Sequence, residues 1–427
     1  MTEPLPRWQK QAITISGLLL ALPGLLLAFS YVCLSLVLLV EGEPDALEAG
    51  LISFALLVVT LGGGGVTFWH GLRSLQGRSS AALRLPPVWL LAAVFGLAVT
   101  LGLLVTEYEF APGLLFPPIL LAAAALPPLM AVSWFMAGSA AGLTWRRGLV
   151  AMAGGATVGV VIAILLEILL PVVVLALVFG LADLVVEQVT ALFAALAGAD
   201  IAAAMTSPGF IFIFVQIAIV APLAEELAKP LITLPLLGRL ARREAFLVGA
   251  MAGAGFAALE NVIYAGFGFY FWAGILLVRA LGGAIHPLGS GLVALGWRDV
   301  LTGEARAWPN WLARFGLAVG MHALWNGGSL LVITLAGARF FGELPPEIDI
   351  LGLSAAGTTL ALLIILGLAA LWVDRGVAQR ARLPLERESE PAEVGAGLSD
   401  RAVAIWALAC LVAIVPAGIA GLQLLVR

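Results

Sequence analysis

Lysine is nearly missing from this chain: Lys10 and Lys229 stand against 20 arginines, and histidine occurs only three times. Charged residues make up 11% of the sequence, against about 25% in an ordinary soluble domain, while 62% are hydrophobic. That balance excludes a water-soluble globular fold. The net charge of −4 offers no basic face to a nucleic acid. Cys33 and Cys410 both fall inside apolar runs, which argues against a disulfide framework. No cleavable signal peptide is apparent, because the first apolar run is far longer than a signal core, and it is expected to stay as an anchor. There is no internal repeat and no glycine loop for a nucleotide. Gly62 to Gly65 lie within an apolar run, where small residues let helices approach closely.

What the chain has instead is apolar runs of about 20 residues or more, the length of a membrane-crossing helix. The fold class expected is an all-α polytopic membrane protein with about eleven transmembrane helices and a polar site inside a central bundle. The spans read as 12–40, 51–72, 88–107, 113–137, 149–181, 209–237, 244–266, 272–296, 311–336, 350–373 and 402–426. Loop arginines alternate with loop acids. Arg73, Arg78, Arg84, Arg146, Arg147, Arg239, Arg242, Arg243, Arg298 and Arg306 fall on one side, Glu41, Glu107, Asp183 and Asp200 on the other. The positive-inside rule then places the N-terminus in the cytoplasm and the C-terminus outside, with Arg339 as the single loop arginine on the wrong side. Aromatic residues from Tyr264 to Trp272 suit an interfacial belt, 182–207 a surface-lying segment, and 376–400 a cytoplasmic linker. Three regions follow: 1–148, a four-helix part of unassigned role; 149–349, a core; and 350–427, two further helices with the linker.

The core carries the chemistry. Burying an ionisable side chain in hydrocarbon costs about 2.5–3.5 kcal/mol on insertion scales, so such groups usually mark function or pairing. Glu225, Glu226 and Lys229 are spaced so that both carboxylates reach the ammonium on one helix. Pro222 just before them suits a first turn or a kink. Phe256 and Glu260 share a face one turn apart, with Asn261 adjacent, and Gly249, Gly253 and Ala257 form a small-residue stripe for a close neighbour. His286 follows Arg279 by two turns, and His322 precedes Asn326 by one. Taken singly, each of these is as well explained by an ion pair or an interhelical hydrogen bond. At 1.5 Å per residue, however, Glu225, His286 and His322 all lie within about 5 Å of their span midpoints, the common depth that a shared cavity requires.

The sequence Glu-Glu-x-x-Lys at 225–229, Phe-x-x-x-Glu-Asn at 256–261, His286 preceded by Arg279, and His-x-x-x-Asn at 322–326 resembles the PrsW family of intramembrane proteases. That family is related to the CAAX prenyl endopeptidase and bacteriocin-processing group. The resemblance covers about residues 209–330 and implies hydrolysis of a peptide bond in a membrane-protein or peptide substrate, an anti-sigma factor being one such partner, in a bacterial plasma membrane. It implies Glu225, Glu226, Glu260, His286, His322 and Asn326 as catalytic residues, supported by Lys229, Phe256, Asn261 and Arg279.

Two mechanisms fit these residues. In one, His286, His322 and glutamates (Glu226, Glu260) bind Zn²⁺, leaving a position for water. In the other, Glu225 or Glu226 is the general base without metal, and a histidine with Asn326 stabilises the oxyanion. The two histidines and surplus carboxylates favour the metal, although the usual zincin signature is absent. Ser290 and Ser329 have no evident triad partners. Two other classes stay open at this point: an inert scaffold resembling the Aph subunit of gamma-secretase, and a proton- or ion-coupled transporter.

Overall fold

The computed structural model of the chain describes residues 24–25, 28–37, 51, 54, 57–76, 78, 80–108, 111–137, 143–178, 207–238, 240–267, 271–340 and 355–387. Among them the chain is helical, apart from one isolated bridge between Ala82 and Thr144. The helices are α1 (Ala28–Val37), α2 (Gly63–Leu75), α3 (Val88–Glu107), α4 (Pro112–Met136), α5 (Trp145–Gly154), α6 (Val160–Val178) and α7 (Pro208–Val215). They continue as α8 (Ala221–Ala228), α9 (Leu234–Leu237), α10 (Arg242–Phe267), α11 (Trp272–Leu281), α12 (Ile285–Leu301), α13 (Ala307–Phe340) and α14 (Ala355–Arg387). Five-residue π-turns join α5 to α6 (Gly155–Gly159) and α7 to α8 (Gln216–Val220), so each pair forms one bilayer-length rod.

Helix starts follow local chemistry. Thr144 and Ser207 accept hydrogen bonds from the backbone N–H groups of Arg147 and Phe210, satisfying donors that the first turn leaves free. Pro112 and Pro208 stand where a missing N–H costs nothing. Pro230 breaks the α-helical ladder of the rod α7–α8, and a 3₁₀ turn, Leu231–Thr233, and α9 carry the chain in helical form to the expected residue 237.

Seven helices are long and apolar enough to cross a membrane, eight if α11 and α12, bent by 43° about residues 282–284, count as one broken span. The expected eleven are not reached among the described residues. Span 402–426 and the segment 182–206 lie outside them, and 12–40 contributes only α1 and its flank. Two further expectations change. Trp272 belongs to the core, edge-on to Phe116 at 5.0 Å, rather than to an interfacial belt. The linker expected at 376–400 is helical at its start, since α14 carries 376–387 despite Gly376 and Pro384. Residues 388–400 lie outside the described set.

The hub is α10. Of its apolar stretch 78% is buried, against 17–50% in the other six spans. It crosses the α5–α6 rod with backbones in contact: a Cβ on Gly155 would overlap the Ala252 carbonyl, and one on Gly255 the Met152 carbonyl. The small-residue stripe faces α12, Gly249 against Ala294 and Gly253 against the His286 carbonyl. Another face of α10 lines an apolar cavity of about 270 Å³ with Val58, Leu121, Met152 and Thr157.

One end of the bundle is tied by ions. Asp299 on α12, 1% exposed, accepts from Arg242 of α10 at 2.8 Å, Arg298 at 3.2 Å and Arg314 of α13 at 2.7 Å. Arg147 of α5 pairs with Glu244 of α10 at the same end. Removing one partner of a buried ionic network strands the others, at about 3–5 kcal/mol. Asp299→Ala is therefore expected to lower the melting temperature of the detergent-solubilised protein by several degrees. An unchanged melting curve would show that the node does not hold the helices.

Candidate active site

Five helices converge on one buried cluster. Glu225, Glu226 and Lys229 come from the end of α8, Phe256, Glu260 and Asn261 from α10, Arg279 from the last turn of α11, His286 from the first turn of α12, and His322 from mid-α13. Pro222 sets up the first contribution. It has no N–H to donate, and the chain accommodates it by widening to the π-turn at 216–220. Asn326 Nδ2 donates to the Ile217 carbonyl within that turn at 3.3 Å. Asn326 thus sits on the bulge that aims Glu225 and Glu226, not among the converging donors.

The break at 282–284 sets up the second. Gly282 lies against the Trp325 ring, where no side chain fits. Turning there brings Arg279 and His286 to the same oxygen of Glu260: Arg279 Nη2 donates to Oε2 at 2.8 Å, and His286 Nε2 lies 3.1 Å from it. Arg279 Nε also donates to Asn261 Oδ1, Asn261 Nδ2 donates to the Ala124 carbonyl at 2.9 Å, and the Tyr264 ring lies 4.4 Å beneath the guanidinium. Glu260 is thereby held by two partners, one of which, Arg279, is itself fixed by Asn261 and Tyr264.

The second imidazole repeats the pattern. His322 Nδ1 lies 3.1 Å from Glu226 Oε1. Each histidine therefore turns one nitrogen to a carboxylate, which holds the proton there and leaves the other nitrogen an acceptor. Those other nitrogens face Glu225: its Oε2 is 3.9 Å from His286 Nδ1 and 3.7 Å from His322 Nε2. Lys229 Nζ reaches into the same space, 2.8 Å from Glu225 Oε2, 2.8 Å from His286 Nδ1 and 2.7 Å from Glu226 Oε1, with the Phe256 ring at 4.5 Å. Phe256 also stacks on His286 and closes that side. Glu226, Lys229 and His322 are wholly buried.

The donor set suits a metal. Glu225, His286 and His322 offer three ligand atoms within 4.8 Å of one another, and His322 Nε2 is buried with no hydrogen-bond partner. Tetrahedral zinc with bonds near 2.1 Å spaces its ligand atoms by roughly 3.4 Å, so a contraction of up to about 0.7 Å per side chain suffices. Sequence reasoning had put Glu226 and Glu260 in the ligand set. Geometry puts those two behind the histidines and Glu225 in front. Adjacent residues on a helix point about 100° apart, a difference that a Glu-Glu pair does not advertise.

Glu167 on α6 is a further intramembrane acid. Its backbone carbonyl accepts from Gln216 Nε2 at 3.0 Å, and its carboxyl interacts electrostatically with Glu225, Glu260 and Lys229. A lone acid in an apolar span was the signal for it, and it stands at the edge of the site. His70 lies on α2, and no contact joins it to the cluster.

Residues 143–345 match a family model, that of the PrsW family intramembrane metalloprotease, and every residue of the cluster falls inside the match. No characterised protein and no solved structure gives a match. A buried Glu/His/His group inside a bundle of apolar helices is what such an enzyme needs, and over residues 143–345 this multi-pass membrane protein matches the PrsW family of intramembrane metalloproteases.

Proposed function

We propose that the chain is an endopeptidase that hydrolyses a peptide bond of a membrane-protein substrate at the level of Glu225, with Glu225, His286 and His322 holding a zinc ion. The observation that carries this reading is the paired arrangement of the histidines, each backed by a carboxylate (Glu260, Glu226) with its free nitrogen turned toward Glu225 Oε2. Outer carboxylates of this kind fix the tautomer and raise ligand basicity. When bound, zinc supplies Lewis acidity toward water and the scissile carbonyl.

The chain's own residues do the rest. Glu226 Oε2 is buried and has no hydrogen-bond partner, while its other oxygen is held by Lys229 and His322. Its side chain turns from Gly289, against which Oε2 packs, and takes a proton from the attacking water as the water oxygen bonds to the carbonyl carbon. It returns that proton to the amide nitrogen as the carbon–nitrogen bond breaks. Phe256 excludes bulk water on one side, and Asn326 acts by holding the π-turn beneath the two glutamates. The arginine-rich end tied by Asp299 is the cytoplasmic one on this reading.

A metal-free mechanism draws support from Lys229, whose ammonium already bridges Glu225 and His286. Metal content separates the two. Purified wild type is expected to carry about one zinc per chain, and His286→Ala to lose most of it together with cleavage of a model transmembrane peptide. Active wild-type protein free of metal would transfer the reaction to Glu226 and Lys229.

A further inference from the structure

We infer that the Lys229 ammonium and the metal ion are alternative occupants of one position, so that Lys229 is a built-in cation that holds the site together until metal displaces it. This rests on the zinc reading above. Two of the three candidate ligand atoms, Glu225 Oε2 and His286 Nδ1, are the atoms that Lys229 Nζ contacts, both at 2.8 Å. A metal bonded to both at about 2.1 Å would lie closer to Nζ than any two non-bonded atoms approach, quite apart from the repulsion between two cations. The two cannot be bound there together.

The surroundings provide for either state. The ammonium is fully buried, and it has contacts that it keeps on withdrawing: Glu226 Oε1 at 2.7 Å and the face of the Phe256 ring at 4.5 Å. A cation over an aromatic face is a stable resting place in a desolvated site. Lys229 itself closes α8, with its own N–H bonded to the Glu225 carbonyl at 2.9 Å and Pro230 next, so its backbone is fixed and only the side-chain stem moves. Charge counting agrees. With each carboxylate ionised, Glu225, Glu226 and Glu260 oppose Lys229 and Arg279, a sum of −1. A divalent ion brings the wild-type cluster to +1, but brings a cluster lacking the lysine from −2 to 0. Lys229 therefore weakens metal binding while it stabilises the metal-free protein.

Titration of chelator-stripped full-length protein with Zn²⁺ against a chromophoric chelator tests this, alongside the melting temperature of the stripped form. Lys229→Met is expected to bind zinc at least tenfold more tightly than wild type, to melt several degrees lower when stripped, and to recover most of that difference at saturating zinc. Lys229→Arg, which keeps the charge, is expected to bind no more tightly than wild type. Unchanged or weaker binding by Lys229→Met overturns the inference and makes the lysine a supporting member of the metal site. Wild type that binds no zinc overturns the metal reading itself. Should Lys229→Met fail to fold, a zinc-loaded structure of the unaltered protein decides. The ammonium shifted beyond contact with His286 supports the inference, and the ammonium still 2.8 Å from His286 Nδ1 ends it.

Discussion

Glu226→Gln is expected to lower cleavage of a model transmembrane peptide by about 10²–10⁴-fold, the usual contribution of a positioned general base. The substitution keeps the side chain's volume in a site with no spare room, where a methyl on Gly289 would already press on Glu226 Oε2. The amide oxygen of glutamine still accepts from Lys229 Nζ and from His322 Nδ1, so the fold is expected to survive. The comparison that matters is activity against melting temperature. A large fall in rate with a shift of only a few degrees assigns the carboxylate to chemistry. Full cleavage by the variant would leave the cluster as an assembly device of the kind an inert scaffold uses.

Gly253→Ala is expected to cost about 10²-fold in activity without altering any residue of the polar cluster. The new methyl would overlap the carbonyl of His286 and approach Ser290 Oγ, so α10 and α12 must part. That contact fixes the distance between Glu260 on one helix and His286 on the other, now 3.1 Å. Displacement by about 1 Å is enough to cost two orders of magnitude in a preorganised site. Overpacking of this kind also costs about 1–3 kcal/mol of stability. The control is Gly266→Ala on the same helix, where an added Cβ meets nothing. Equal activity of the two variants would mean that the α10–α12 spacing does not set the geometry of the site.

The elements that sequence reasoning recovered are those governed by burial cost and length. Spans 88–107 and 113–137 fall within a residue of α3 and α4, and 244–266 matches α10, because unbroken apolar runs leave little freedom. The common depth of Glu225, His286 and His322 likewise becomes a real cluster. Contacts set by a single torsion or a local defect were not legible. Two π-turns, the bend at 282–284 and the early end of α8 each rotate the residues that follow by a large part of a turn. That rotation decides that Glu225 rather than Glu226 faces both free imidazole nitrogens. It also places Asn326 on Ile217 and brings Lys229 in among the ligand atoms. Glu167 is legible in the sequence only as a lone acid in an apolar run, since its approach to the site depends on how α6 packs against α8.

Asp299 makes the bundle mechanically asymmetric. Three rods pinned through one carboxylate cannot slide past one another at that end, so any opening must occur as a splaying at the far end, like tongs hinged at the grip. Glu260 lies 18 residues along α10 from the Arg242 hinge point, about 27 Å, so a tilt of a few degrees moves it by more than an ångström. A polypeptide entering from the unpinned end would have to wedge the jaws apart.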